Sequence, residues 1–125
     1  MFQLDFASRV PIYEQIFENV IKLASVGVFN PGDKLPPVRT LASQLGINPN
    51  TVAKSYRMLE LSGYIFSTVG RGSFLTDKLS MDSAQKILAI EEYKKSIRGV
   101  RIYGVEREEL IQIMDDVLKG GMKDD

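Results

Sequence analysis

Gly46 stands two residues before an Asn48-Pro49 pair, and a short apolar-periodic stretch lies on either side. Upstream, Val38, Leu41, Ala42 and Leu45 follow helical spacing and stop at the glycine, which can adopt the left-handed conformation that closes a helix. Downstream, Asn48 can accept from the free backbone N–H groups of Asn50 and Thr51. Pro49 suits the first helical position, where its missing donor costs nothing. The spacing predicts a second helix with Val52, Tyr56, Leu59 and Gly63 on one side and Asn50, Lys54 and Arg57 on the other. Two helices joined by so short a turn make a helix-turn-helix, whose second helix can enter a DNA major groove. Taken alone, the second helix would pass for an ordinary amphipathic helix. The order of helix, Gly46, cap, Pro49, helix and then a hairpin selects the DNA reading.

The flanking segments extend this unit. Residues 2–9 alternate loosely, with Phe2, Leu4 and Phe6, and are expected to form a short strand or an extended arm. A helix opens at Pro11 and ends near Gly27, with a broad stripe of Ile12, Ile16, Val20 and Leu23 that is expected to be core. No chemistry is assigned to Tyr13 or Gln15. Lys34-Leu35, between turn signals, can add a bridge to a small sheet. After the breaker Gly63, Tyr64-Ile65-Phe66-Ser67-Thr68-Val69 and Ser73-Phe74-Leu75-Thr76 read as strands around a Gly70-Arg71-Gly72 turn. A hairpin in this place makes a wing, with Arg71 placed to reach a minor groove or a phosphate. A boundary is expected at Lys78, so that residues 1–78 form the DNA-binding domain and residues 79–125 a helical tail. The tail reads as two helices, about 80–98 and 106–119, broken around Gly99 and Gly104 and ended by Gly120-Gly121, with residues 122–125 frayed.

Composition narrows the function. Cysteine and histidine are both absent, which removes thiolate metal sites and the commonest general base and metal ligand. No cofactor, metal or catalytic site is expected. Asp115-Asp116 and Glu108-Glu109 are adjacent carboxylates that point apart on a helix, so an enzyme built on them is disfavoured. A 44% apolar, 26% charged chain can form a globular core, and no apolar run spans a bilayer. No signal peptide is read at the start, and a cytoplasmic protein is expected. Net charge is zero, but residues 34–78 hold six basic side chains against two acidic ones. Residues 79–125 hold eight basic against ten acidic. Positive charge is therefore concentrated around the helix-turn-helix and wing.

Several motifs carry a resemblance. Pro11-Ile12-Tyr13-Glu14-Gln15-Ile16, Pro31-Gly32-Asp33-Lys34-Leu35-Pro36-Pro37-Val38-Arg39-Thr40-Leu41-Ala42, Asn50-Thr51-Val52, Leu59-Glu60 followed by Gly63, and Gly70-Arg71-Gly72-Ser73-Phe74-Leu75 occur in the order seen in the GntR family of bacterial regulators. The short two-helix tail is similar to that of the family's YtrA-type branch. The resemblance implies a mainly α fold with a small β wing: a winged helix-turn-helix plus a C-terminal two-helix dimerisation segment. It further implies a dimeric repressor, often encoded with ABC transporter genes. Arg39, Thr51, Arg71 and Gly72 match positions that contact DNA in the family. Family members often carry arginine where this chain has Pro49 and Ala53; Lys54, Asn50 and Asn48 are expected to substitute.

The candidate DNA-contacting set is Lys34, Arg39, Asn48, Pro49, Asn50, Thr51, Lys54, Arg57, Arg71 and Gly72. Arg39 can offer its fork to a phosphate or a guanine. The tail stripes of Ile87, Leu88, Ile90, Leu110, Ile113, Met114, Val117 and Leu118 need a partner, either the chain's own first domain or, preferably, a second copy. The expected partners are thus double-stranded DNA carrying an inverted-repeat operator and a second copy in a homodimer. A tail this short is not expected to enclose a small-molecule effector. The alternative is a winged-helix protein-interaction module without specific DNA binding.

Overall fold

A computed structural model describes residues 1–79 and 81–123. In chain order the elements are α1 (Ile12–Ser25), α2 (Val38–Leu45), α3 (Pro49–Leu61), β1 (Ile65–Thr68), β2 (Gly72–Leu75), α4 (Met81–Arg101) and α5 (Arg107–Lys123). This is a winged helix-turn-helix followed by two helices. Among the described residues no helix is long and apolar enough to cross a membrane.

The chain divides into two compact units, Met1–Ala89 and Ile90–Asp125. The division falls within α4, beyond the Lys78 boundary read from the sequence. The reason is burial: Leu79 and Ala84 join the core of the first unit, and Ile87 and Leu88 pack against that core. The centre of the core comes from Ile16, Val20 and Ile21 of α1, Leu41 of α2, and Val52 and Leu59 of α3. Ile65 and Leu75, the inward ends of the wing, complete it.

Local chemistry sets the helix ends. Gly46 closes α2 at φ 68°, a backbone shape that a side chain disfavours. The Ile47 N–H then donates to the Ala42 carbonyl at 3.0 Å. Asn48 caps α3, but its side chain accepts only from the Asn50 N–H, at 2.8 Å. The Thr51 N–H donates instead to the Asn48 carbonyl at 3.0 Å, so one of the two expected cap bonds is made by backbone.

Residues 2–9 form no strand. They run as an arm held by side-chain amides of α1. Gln15 Oε1 accepts from the Asp5 N–H, and Gln15 Nε2 donates to the Asp5 and Val10 carbonyls. One turn further on, Asn19 exchanges the same pair of bonds with the backbone of Gln3. Carboxamides here replace a neighbouring strand, and Phe2 and Leu4 pack on the core beneath.

The wing pairs antiparallel from Ile65↔Leu75 to Thr68↔Gly72. It starts one residue later than read at Tyr64 and begins its return at Gly72. The expected bridge at Lys34 is present, opposite Phe74. Leu35 donates to Ser73, and Leu75 donates to Asp33, so the segment before α2 lines the wing as a third edge.

Within the second unit both helices outlast the glycines expected to end them. α4 continues through Gly99 to Arg101, and α5 runs past Gly120-Gly121 to Lys123. A helical glycine costs about 1 kcal/mol relative to alanine, which does not outweigh the backbone bonds of a long helix. The fraying expected for residues 122–125 falls partly on residues 124 and 125, which lie outside the described residues.

Candidate nucleic-acid interface

α3 packs on α1 and α2 through Val52, Ser55, Tyr56 and Leu59, all buried. Helical geometry then turns Asn50, Lys54 and Arg57 outward, and all three are exposed. Asn48 and Pro49 are exposed at the start of the helix, while Thr51 is half-buried. On α2, Leu41 and Ala42 anchor the inner face, and Arg39 and Thr40 are exposed in the first turn.

One partly buried bond ties α3 to the segment before α2. The Tyr56 hydroxyl donates to the Pro36 carbonyl at 2.6 Å, linking α3 to the corner from which α2 departs. Burial pushes the phenol well above its ordinary pKa, so it stays a donor.

At the wing, the turn is closed by the Arg71 N–H donating to the Thr68 carbonyl at 3.0 Å. Arg71 is exposed at the tip. Gly72 adopts φ 113°, and a Cβ there would stand 2.7 Å from Lys34 Cε. The Lys34 stem thus lies across Gly72, which brings that cation to the wing. Lys34, Pro36, Tyr56, Arg71 and Gly72 border one cleft of about 510 Å³ between the α2 corner and the hairpin. Among the described residues Arg39, Arg57 and Arg71 make no ion pair within the chain. Unneutralised guanidinium groups on an exposed surface suit an anionic polymer.

Lys78, counted among the basic residues of this region, has a structural task. Its ammonium donates to the Ser62 carbonyl at 2.6 Å and stands 5.2 Å from the Tyr64 ring, capping the end of α3. Sequence reasoning also missed Tyr13, whose ring lies under the Lys54 ammonium. Helical periodicity could only mark Tyr13 as a flank of the apolar stripe.

In the second unit, Tyr93, Ile97 and Val100 of α4 and Leu110, Ile113, Met114, Val117 and Leu118 of α5 border an open apolar groove of about 470 Å³. Val117 and Leu118 are exposed, at 66% and 63%. The expected tail stripe therefore splits: Ile87 and Leu88 are half-buried against the first unit's core, whereas Ile90 is exposed.

The family described as "Bacterial regulatory proteins, gntR family" matches residues 12–75, from the start of α1 to the end of the wing. The HTH-type transcriptional repressor YtrA of Bacillus subtilis is 38% identical over the whole of both chains. A GntR family transcriptional regulator from Listeria monocytogenes superposes with a TM-score of 0.63 at 29% identity, covering 90% of this chain and 98% of that one. The AraR DBD in complex with operator ORE1 superposes with a TM-score of 0.53 at 26% identity, covering 61% of this chain and 93% of that one.

Proposed function

The chain belongs to the gntR family of bacterial regulatory proteins and is a DNA-binding transcription regulator; from that premise we propose that it is a cytoplasmic homodimeric repressor that acts by occupying an inverted-repeat operator, without catalysis. Family membership sets aside the alternative of a protein-interaction module. The observation that carries the interface is the exposed set of Arg39 on α2, Asn48, Pro49, Asn50, Lys54 and Arg57 on α3, and Lys34, Arg71 and Gly72 at the wing. Thr51, half-buried, adds a hydroxyl at the start of α3. Repression is supported by the name of the YtrA relative, which matches from end to end.

In this reading the N-terminal half of α3 enters the major groove. Asn50 can read a base edge, since an amide offers a paired donor and acceptor. Lys54 and Arg57 neutralise phosphates, and Arg39 presents its planar fork to a guanine or a phosphate. The wing sets Arg71 against the flanking minor groove or backbone. Dimerisation is supported by the apolar groove between α4 and α5, which a second copy of the tail would cover. The groove is open, so no effector site is assigned to it.

Arg39→Ala tests the interface. The duplex should be selected from a random pool by the wild-type chain. The variant should bind it more weakly by ~1–3 kcal/mol if the arginine is bidentate to guanine. Its thermal unfolding should hardly change, because Arg39 is exposed. Wild-type affinity in a folded Arg39→Ala protein would remove Arg39 from the interface.

A further inference from the structure

The Lys54 ammonium stands 3.9 Å from the centroid of the Tyr13 ring. Tyr13 belongs to the first turn of α1 and is half-buried; Lys54 projects from the exposed side of α3. The packing of α1 on α3 brings the two together. We propose that Tyr13 is a positioning residue for DNA binding, whose ring holds the Lys54 ammonium where it meets a backbone phosphate. This rests on the reading of the exposed face of α3 as the DNA surface.

The physical reason is conformational. A lysine on a helix surface has a four-carbon stem and many rotamers, and ordering them on binding opposes association. The electron-rich face of an aromatic ring attracts an ammonium and narrows that choice beforehand. Ordering done before DNA arrives is not repeated at the interface. Lys54 is exposed and Tyr13 half-buried, so a phosphate can reach the ammonium while it rests on the ring. Tyr13 thus acts through Lys54.

The experiment uses the full chain and a duplex selected from a random pool by the wild type. NMR of the free protein reads the Lys54 Hε resonances, which the ring current should move upfield in the wild type and in Tyr13→Phe, but not in Tyr13→Leu. Affinity should fall roughly two- to fivefold in Tyr13→Leu, the scale of the cost of immobilising one flexible side chain at an interface. It should stay at the wild-type level in Tyr13→Phe. Adding Tyr13→Leu to Lys54→Met should lower affinity no further. A rise in affinity for Tyr13→Leu would mean that the ring withholds the lysine, and would overturn the proposal. So would an equal fall in the Lys54→Met background, a loss in Tyr13→Phe, or unshifted Lys54 resonances. If Lys54→Met binds normally while Arg39→Ala is weakened, only the proposal fails; if both bind normally, the reading of this face fails and the proposal fails with it. If Lys54→Met is weakened but no shift exists, only the proposal fails. Should Tyr13→Leu not fold, the wild-type complex decides: a ring shift that persists with duplex bound supports the pair, and one that vanishes overturns it.

Discussion

Tyr56 and Ser55 are neighbours on the buried side of α3 with opposite hydrogen-bonding states. The Tyr56 hydroxyl is bonded to Pro36, so Tyr56→Phe leaves that carbonyl without its donor. The expected loss of stability is ~1–3 kcal/mol, read by urea unfolding near neutral pH. The pH dependence has a definite sign. The folded state raises the phenol pKa, so folded protein holds this proton more tightly than unfolded protein does. Its contribution is complete below the unfolded value of about 10 and falls as pH rises beyond it. Tyr56→Phe should lack that part of the alkaline decline; an unchanged decline would show that Tyr56 is not its source. Ser55 is fully buried, and its hydroxyl has no hydrogen-bond partner among the described residues. Ser55→Ala should therefore leave stability unchanged or raise it by up to ~1 kcal/mol, since an unsatisfied buried hydroxyl is unfavourable. Calorimetry showing a clear loss would reveal a bond to that oxygen. Periodicity placed Tyr56 on the inner face but could not mark Ser55 as buried, because a serine there reads equally well as solvated.

At the level of elements, the hairpin and helix starts were legible because their signals are local: Asn48 and Pro49 for α3, Gly46 for the end of α2, and paired glycines for the wing turn. Arg71 is the wing's exposed cation at that turn. Arg71→Ala should weaken binding to most duplexes alike and reduce the slope of log affinity against log salt by about one contact, if the guanidinium meets a phosphate. If instead discrimination is lost at a single A·T-rich position, Arg71 reads the minor groove. Titrations of several duplexes at graded salt concentrations separate the two. The helices of the tail were less legible. Gly99 and Gly120-Gly121 look like stops, yet α4 and α5 pass through them. A glycine ends a helix only where the chain has another conformation to favour, as at Gly46, where Ile47 turns back to bond Ala42.

For the whole molecule, the division at Ala89 determines where it should be cut. Truncation at Lys78 would remove Leu79 and Ala84 from the first unit's core, so a cut after Ala89 is the appropriate test of the tail. The product should remain folded by circular dichroism, sediment as a monomer, and lose most operator affinity. Without the tail, the second half-site no longer binds at the high effective concentration that a dimer supplies. The full chain should sediment as a dimer and select an inverted repeat with half-sites ~10 base pairs apart, or a multiple of that, as two-fold symmetry requires. A full-length monomer at tens of micromolar, or a truncated protein that still dimerises, would assign the α4–α5 groove another role.

The sequence by itself determined what depends on neighbours along the chain. Helix period sorted Val52, Tyr56 and Leu59 from Asn50, Lys54 and Arg57, and the cap and turn residues marked where the backbone must change course. Only the tertiary structure decided contacts between distant segments. The carboxamides of Gln15 and Asn19 replace a strand for the N-terminal arm. The Lys34 stem fills the space left at Gly72, and the Tyr13 ring underlies Lys54. Lys78 caps α3 rather than lying free. Each of these depends on the distance and direction between elements, and those are set by packing in three dimensions; spacing along one segment carries no record of them.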